Sequence, residues 1–324
     1  MSSTAQLVVR SAPRVGESLL GFLLRVSDAN HYSGAGALVQ LANLPRTFLT
    51  RPCSLQNLTS LLGDVVSTSQ LEALSYWRNG TKNGIKFAGT TVSTVDVNGI
   101  HPKVCPTCLR EDGIARQMWD LRTVTSCWRH GCYLVDHCSE CGSRLTWRRR
   151  RLLRCDCGSK LTDQPAVCAS AEAAAFTLLL ETLLVDGNCW VDPFPIPIRS
   201  LAAICKVIWW FGAELGKVVN SQPLAIAKPR ACVSAKIVER GNGFLEKWPG
   251  SIEELLSFAG RASGAAPQCV SPEHILWRIR QTFRGAEFEL MLDDIRRCLN
   301  LQGYPVKRNS FYALQSKSRK LRRR

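Results

Sequence analysis

The sequence predicts a mainly α-helical protein that is interrupted by a small zinc-ribbon-like segment. Apolar residues recur every three or four positions near both ends of the chain, which is the spacing of one helix face. Between these helical parts, eight of the fifteen cysteines lie within Cys105–Cys157. We therefore expect an N-terminal helical domain at residues 1–100, a tandem zinc-binding region at 101–165, a C-terminal helical domain at 166–306 and a basic tail at 307–324.

The N-terminal domain is expected to be a bundle of short helices. The first helix has an apolar face formed by Leu19, Phe22, Leu23 and Val26. Ser67 and Gln70 fit a capping box at the start of a later helix, and Ser54 fits a simple N-cap. Glycines and β-branched residues predict a loop or short strands at residues 78–99. The bundle is helix-turn-helix-like, a pattern that a DNA-reading motif and a plain helical bundle share.

The C-terminal domain is expected to contain four further helices. Two helices are predicted over Glu172–Val185 and Arg199–Val219. A third is predicted to start at Ser251, with Glu254 completing its capping box, and to be closed by Gly260. A fourth is predicted to start at Pro272. Core positions are expected at Trp209, Trp210 and Phe211 and along a stripe of Leu290, Met291, Ile295 and Leu299.

Four pairs of Cys and His residues have the spacing of zinc ligands. The first predicted site joins Cys105 and Cys108 to Cys127 and His130, and the second joins Cys138 and Cys141 to Cys155 and Cys157. Cys132 and His137 are nearby substitutes, but each would break the paired spacing. Because four such ligands leave no open position for substrate, we predict two structural Zn²⁺ ions, against the alternative of buried thiols. Four apolar residues are expected to pack around them: Trp119, Leu121, Leu134 and Leu145.

Two basic segments are candidate contacts for nucleic acid or an acidic partner. One is an arginine run inside the second predicted site, formed by Arg148, Arg149, Arg150 and Arg151 with Arg154 beyond it. The other lies in the tail and comprises Lys317, Arg319, Lys320, Arg322, Arg323 and Arg324. The formal net charge is +16, which favours a polyanionic partner. The alternatives are a solvated hairpin tip and a tail that aids solubility.

Catalytic patterns are weak in this sequence. GAELGK at Gly212–Lys217 is one residue short of a phosphate-binding loop and is followed by Val218. Cysteines that could act as nucleophiles are better used as metal ligands, and Asp293 and Asp294 fit a solvated helix face. The sequence therefore predicts a protein that is not an enzyme. It also has no apolar run long enough for a bilayer and no secretory signal pattern, which predicts an intracellular location.

Taken together, the motifs resemble the TniQ family of transposition proteins, which is related to the target-site selector TnsD. The resemblance begins at GESLLGFLLRV (Gly16–Val26) and is strongest over Lys103–Gly158, with KVCPTCLREDG, Trp119, CWRHGCYLVDHCSECGSRL and CDCG in order. The Trp209–Trp210 pair and FLEKWPGSIEELL around Trp248 resemble the C-terminal helical domain of TniQ proteins from CRISPR-associated transposons. The long C-terminal extension of TnsD is absent from this sequence.

The resemblance implies a target-selection adaptor with a helix-turn-helix domain followed by zinc fingers. Such an adaptor forms a homodimer in the bacterial cytoplasm, docks on an RNA-guided CRISPR surveillance complex near target DNA, and recruits the AAA+ regulator TnsC, which engages the transposase. The alternative is a direct, sequence-reading DNA-binding selector or a zinc-dependent regulator. Only the eight zinc ligands carry over from the family residue by residue.

Overall fold

The computed structural model describes residues 6–45, 55–76, 84–186, 195–196, 198–220, 229–262 and 272–301. These residues form two compact units. The first contains the described residues up to 186 together with 229–238, and the second contains 195–220 together with 239–301. This division differs from the predicted domains, because the boundaries at residues 100 and 165 both fall inside the first unit. The structure thus joins the N-terminal helices, the cysteine-rich region and the next helix in one body.

The described chain contains eleven α-helices and four short strands. The first unit includes α1 (Leu19–Ala29), α2 (Ala35–Leu41), α3 (Gln56–Leu62), α4 (Thr68–Leu74), β1 (Gly84–Phe87), β2 (Thr90–Ser93), α5 (Pro106–Glu111), β3 (Ser126–Cys127), β4 (Cys132–Tyr133) and α6 (Ala171–Asp186). The second includes α7 (Leu201–Asn220), α9 (Gly250–Ala262), α10 (Pro272–Thr282) and α11 (Glu289–Leu301). Helix α8 (Ala231–Glu246) contributes residues to both units. The predicted class, mainly α with small metal-binding segments, is confirmed.

Helix α1 is anchored to the cysteine-rich region through its first turn. Ser18 caps the helix by accepting a hydrogen bond from the backbone N–H of Gly21, and its own N–H donates to the carbonyl of Ala115 at 2.8 Å. Glu17 is completely buried and binds Arg25 through both carboxylate oxygens, each at 2.8 Å. Because an unpaired buried carboxylate is costly, this two-point ion pair accounts for the glutamate of the GES motif. The predicted apolar face of α1 is confirmed, since all four of its residues are buried.

The short elements that follow agree with their sequence signals. Both hydrogen bonds of the capping box between Ser67 and Gln70 are present at the start of α4. Strands β1 and β2 pair antiparallel, with Ile85 opposite Val92, and confirm the prediction of short strands at 78–99. Their connecting turn uses positive φ angles at Ala88 and Gly89. Ser54 lies outside the described residues, so its proposed capping role stays a prediction.

The second unit has an aromatic core around Phe211. Its ring stacks on Phe244, with centroids 4.5 Å apart, and on Phe283, with centroids 5.8 Å apart. Trp210 meets Phe211 and Phe283 edge-on but is only half-buried, as is Trp209. The expectation that both tryptophans belong to the core is therefore only partly met. Successive residues of a helix point about 100° apart, so three in a row cannot all face one core.

Three predicted helix features in the second unit are wrong. Helix α9 begins at Gly250 and runs through Gly260 to Ala262, so Ser251 does not cap it and Gly260 does not close it. The N–H of Ser251 already donates to the carbonyl of Lys247, and the residue is buried inside the first turn. On α11, the apolar stripe includes Met291, Ile295 and Leu299, whereas Leu290 is 56 % exposed. The stripe follows the i, i+4, i+8 spacing, and Leu290 falls beside it.

The remaining predicted helices are present, with starts within about two residues of the predicted ones. Helix α10 begins at Pro272, where the first helical position tolerates proline, and α6 and α7 cover the two longer predicted helices. Within the described part of the chain, no helix combines the length and apolar character that crossing a membrane requires.

Candidate metal centres

The first cysteine cluster is built from the start of α5 and the β3–β4 hairpin. Cys105 is the N-cap of α5, and its Sγ accepts the backbone N–H of Cys108 at 3.4 Å. Cys127 ends β3, and His130 lies in the turn that leads to β4, where Gly131 takes a φ of 55°. The CxxC pair and the CxxH pair are therefore each held by regular backbone structure, one by a helix and the other by a hairpin.

The four side chains of this first cluster converge at ligand distances. All their ligand atoms lie within 4.8 Å of one another. The Sγ atoms of Cys108 and Cys127 are 3.6 Å apart, and Nδ1 of His130 is 3.3 Å from Cys108 Sγ and 3.5 Å from Cys127 Sγ. A tetrahedral zinc site with ordinary bond lengths has edges of about 3.8 Å between sulfurs and about 3.6 Å between sulfur and nitrogen. The residues present therefore fit a tetrahedral metal ion.

A carboxylate supports the histidine of the first cluster from outside. Nε2 of His130 lies 3.0 Å from an oxygen of Glu111, while Nδ1 faces the sulfurs. Such a carboxylate–histidine pair fixes the ring orientation and makes the metal-facing nitrogen a stronger ligand. Arg129 holds the neighbouring Asp112 at 2.6 Å, which keeps the end of α5 against the hairpin turn. No sequence pattern singles out Glu111, although it stands three residues after Cys108 on the same helix.

The thiols of the first cluster influence one another's pKa. Hydrogen bonding with Cys105, reinforced by burial, raises the pKa of Cys127 to about 11. For Cys108, the hydrogen bond with Cys105 lowers the pKa, but the bond with Cys127 and burial outweigh it and raise the value to about 11. Coordination to a cation has the opposite effect and lowers the pKa of a thiol, because a bound thiol is deprotonated outright. A buried set of three thiols and one imidazole is a donor set that suits zinc.

The second cluster consists of two similar knuckles. In the first, the N–H of Gly142 donates to the carbonyl of Cys138 at 2.9 Å; in the second, the N–H of Gly158 donates to the carbonyl of Cys155 at 2.9 Å. Both glycines have positive φ angles, 67° and 94°. A residue with a side chain is strained at such angles, which explains the glycine that follows each cysteine pair.

The sulfurs of the second cluster also fit a tetrahedral ion. Cys138 Sγ lies 3.8 Å from Cys157 Sγ, and Cys141 Sγ lies 3.7 Å from Cys155 Sγ. All four ligand atoms are within 4.8 Å of one another. Unlike the first cluster, this one is at the surface, since Cys141 and Cys157 are exposed. The structure thus brings together both predicted ligand sets, and the four apolar residues expected near them are buried.

The substitutes Cys132 and His137 belong to neither set of converging ligands. His137 is half-exposed and faces Asp136, with 3.2 Å between its Nδ1 and a carboxylate oxygen. Cys132 is buried beside the first cluster, with its Sγ 3.6 Å from Cys105 Sγ. It lies opposite Cys127 in the β3–β4 hairpin. Cys132 is therefore a neighbour of the first cluster rather than one of its four ligands.

Arg149 does not lie on the surface, contrary to the expectation for the arginine run. Only 2 % of it is exposed, and its guanidinium donates to the carbonyls of Thr146, Arg151 and Leu152 at 3.0 to 3.3 Å. Its Cζ also lies 5.1 Å from the ring centroid of Trp147. Burial lowers the pKa of Arg149 to about 10, so the side chain stays charged at neutral pH. Arg149 therefore holds the loop together and is not available to a phosphate.

The other members of the run are exposed around this anchor: Arg148, Arg150, Arg151 and Arg154. We call these four residues the arginine surface. Two acidic groups touch it. Asp28 lies 3.8 Å from the guanidinium of Arg151, and Asp156 accepts the backbone N–H of Arg150. The surface therefore keeps an excess of positive charge.

The arginine loop packs against the turn between α1 and α2. A side-chain carbon at Gly34 would lie 2.9 Å from the carbonyl oxygen of Arg149, and Gly34 has a φ of 97°. Both facts require glycine at this position. The same turn carries Tyr32, which is 40 % exposed. An exposed aromatic ring and a set of exposed guanidinium groups are thus supplied by two adjoining segments.

The predicted basic residues of the tail lie outside the described residues: Lys317, Arg319, Lys320, Arg322, Arg323 and Arg324. Their assignment as contacts stays a prediction.

Comparison with known proteins identifies the N-terminal part of the chain. Residues 8–134 match the model of the TniQ family. The resemblance seen in the motifs is thereby confirmed for this segment, which contains α1 and the whole first cluster and ends before the second. A comparison with curated proteins found no match. The match covers 127 of the 324 residues, counted from 8 through 134.

Proposed function

We propose that this protein, whose residues 8–134 match the TniQ family, is a non-catalytic adaptor for target selection in DNA transposition. In this proposal it works in the bacterial cytoplasm as a homodimer that docks on an RNA-guided CRISPR surveillance complex. It recruits the AAA+ regulator TnsC there and, through TnsC, the transposase. Both cysteine clusters hold structural Zn²⁺. The arginine surface is the observation that carries the nucleic-acid part of this proposal.

The arginine surface suits a phosphate backbone for three reasons. A guanidinium presents its donors in a flat fork that matches two phosphate oxygens. The loop is fixed by the buried guanidinium of Arg149 and by the second cluster, so little conformational entropy is lost when a partner binds. Tyr32 on the adjoining turn offers a face on which an unpaired base can stack. A structured RNA with unpaired bases, such as a guide RNA within its complex, fits these groups better than a uniform duplex.

The described N-terminal helices favour the adaptor over a protein that reads DNA sequence directly. A helix-turn-helix reader places polar and basic side chains of its second helix against base edges. Helix α2 is only seven residues long, and Gln40 is its one polar side chain. Neither α3 nor α4 carries Lys or Arg, and Arg25 of α1 is engaged by Glu17. These helices therefore supply no basic face for a major groove.

Binding to nucleic acid tests the arginine surface. The full chain is titrated against a fluorescent RNA hairpin with an unpaired loop and against a DNA duplex, between 50 and 200 mM salt. Replacing Arg148, Arg150 and Arg151 together with Ala is expected to weaken RNA binding and to reduce the slope of log affinity against log salt by about 2 to 3, since each lost phosphate contact removes about 0.7 to 0.9. A matched control replaces Lys236, Lys247 and Arg284, three exposed cations elsewhere.

If RNA affinity fell equally in the two triple variants, only net charge would matter for binding, and the arginine surface would be rejected as a site. Tyr32→Ala separates stacking from charge. It is expected to weaken binding to the unpaired loop without changing the salt slope.

Copurification tests the adaptor role itself. The full chain is mixed with a CRISPR surveillance complex carrying its guide RNA and then with TnsC, and the complexes are resolved by size exclusion. The proposal predicts co-elution with the surveillance complex and a further shift with TnsC. Tight, sequence-selective binding to bare duplex DNA without either partner would support the direct reader instead.

A further inference from the structure

Two cysteines outside the eight ligands face each other beside the first cluster. The N–H of Tyr133 donates to the carbonyl of Val167 at 2.9 Å, and the N–H of Ala169 donates to the carbonyl of Gly131 at 2.8 Å. These two bonds flank an antiparallel bridge between Cys132 and Cys168. The pair is therefore a directly opposed, non-hydrogen-bonded pair, in which side chains approach most closely.

This arrangement lies within the geometric range of a disulfide. Opposed residues of the non-hydrogen-bonded type have Cα atoms about 4.5 Å apart, and disulfides join Cα atoms about 4.4 to 6.8 Å apart. The side chains of opposed residues also project from the same face of the pair. A bond between Cys132 and Cys168 can thus form without moving either segment far.

The two thiols have different surroundings. Cys168 is exposed, whereas Cys132 is only 3 % exposed and has its Sγ 3.6 Å from Cys105 Sγ. When Cys105 is a metal-bound thiolate, the S–H of Cys132 can donate a hydrogen bond to it. Such a bond from outside the ligand set stabilises the ligand and tunes the metal site.

We propose that Cys132 and Cys168 form a reversible disulfide that weakens the hold of the first cluster on its metal. Disulfide formation removes the S–H donor next to Cys105. The exposed Cys168 is the thiol that an oxidant reaches first, and the buried Cys132 completes the bond. This inference requires a metal in the first cluster but does not depend on the proposed role in transposition.

The chemistry balances with glutathione disulfide as the oxidant. The thiolate of Cys168 attacks one sulfur of glutathione disulfide, which forms a mixed disulfide and releases one glutathione thiolate. The sulfur of Cys132 then attacks the Cys168 sulfur, which forms the Cys132–Cys168 bond and releases the second glutathione. Two protein thiols lose two electrons and two protons in total, and glutathione disulfide becomes two glutathione molecules.

The test uses the zinc-loaded full chain in glutathione mixtures of increasing oxidised fraction. Linked peptides are identified by mass spectrometry after digestion without reduction, and zinc affinity is measured by competition with a chromophoric chelator. We expect a linked Cys132–Cys168 peptide and a loss of about tenfold or more in the affinity of one zinc ion, in the range found for ligand-supporting groups. Reduction with a thiol reagent is expected to reverse both changes.

Cys168→Ser is the decisive variant because the exposed position tolerates the change. It is expected to give no linkage and to keep its zinc affinity under the same oxidising conditions. Cys232→Ser, at another exposed cysteine, is the matched control and should behave like the wild type. Three results would each overturn the proposal. They are absence of the linked peptide in the wild type, linkage of Cys132 to a ligand cysteine instead, and linkage without any change in zinc affinity.

Discussion

The two cysteine clusters have similar ligand spacing but very different surroundings. In the first cluster, Cys105 and Cys108 are completely buried and His130 is supported by Glu111. In the second, Cys138 is buried but Cys141 and Cys157 are exposed, and the four ligands lie on two tight turns. The first cluster lies in the segment that is tied to α1 through Ser18 and Ala115, whereas the second brackets the loop that presents the arginine surface. From this difference we expect that an ion in the first cluster would maintain the fold, whereas an ion in the second would hold the arginine surface in place.

The difference between the two clusters also corresponds to the extent of the match with the TniQ family model. The matched residues, 8–134, include the first cluster and the GES motif that ties α1 to it through Ser18 and Ala115. The second cluster, with its arginine loop, lies beyond the match. The buried cluster therefore lies within the segment that matches the TniQ family model, and the exposed cluster does not.

The largest effect should come from removing one ligand from each cluster. Cys108→Ser is expected to lose one zinc ion and to unfold much of the first unit, because it removes most of the roughly 10 kcal/mol or more that a structural zinc contributes. Cys157→Ser should lose one ion while the helices stay folded. Zinc content by elemental analysis, together with hydrogen exchange of α1, distinguishes the two. If α1 were equally protected from hydrogen exchange in both variants, the two clusters would not differ in their importance for the fold.

A smaller effect is expected at the anchor of the arginine loop. Arg149→Met leaves three carbonyls without their donor, and we expect the free energy of unfolding to fall by about 3 kcal/mol. Arg150→Met, next to it but exposed, should change stability by less than about 0.5 kcal/mol. Urea unfolding of the zinc-loaded protein measures both. If the two variants were equally stable, Arg149 would not be the internal support of this loop.

The carboxylate behind His130 should affect one cluster only. Glu111→Gln is expected to reduce the zinc affinity of the first cluster by about 10-fold to 100-fold and to leave the second unchanged. Glu140→Gln, an exposed acidic residue within the CSEC turn of the second cluster, is the matched control and should change neither. Chelator competition on Cys157→Ser, which keeps its helices and only the first cluster, compared with the same titration of the protein with both clusters intact, assigns each affinity to its cluster. An equal loss at both sites would mean that Glu111 acts through net charge alone.

The smallest predicted effects have opposite signs at two neighbouring glycines. Gly34→Ala should lower stability by about 1 to 2 kcal/mol, since its φ of 97° strains alanine and the new carbon meets the Arg149 carbonyl. Gly36→Ala, inside α2 with open space around it, should raise stability by up to about 1 kcal/mol. Thermal unfolding of the two variants is the measurement. A stabilised Gly34→Ala protein would show that the turn and the arginine loop do not pack as described.

The metal ligands were predictable from the sequence because their chemistry fixes their spacing. Two thiols with two residues between them can reach one ion from a single turn, whatever surrounds them. The apolar face of α1 was equally predictable, since a helix with one buried face has apolar residues every three or four positions in the sequence. Both features depend on residues that are close in the chain.

Features set by the exact path of a loop or helix end, or by a contact between residues distant in the chain, were not predictable. A run of identical arginines gives no sign of which one turns inward, and only the fold shows that Arg149 meets three carbonyls. Glu111 resembles an ordinary charged residue at a helix end until the hairpin brings His130 to it. The start of α9 was misplaced because the Lys247 carbonyl, rather than a side chain, accepts the N–H of Ser251. In each case the deciding partner comes from tertiary structure or from a turn that the pattern does not encode.

Stepwise removal of metal tests the difference between the clusters most directly. The zinc-loaded protein, expected to contain two ions per chain, is titrated with a strong chelator, and native mass spectrometry is combined with hydrogen exchange at each step. We expect the first ion to leave from the second cluster, so that residues 138–160 lose protection while residues 104–135 and α1 keep it. Loss of protection in residues 104–135 first, or in both regions together, would contradict it.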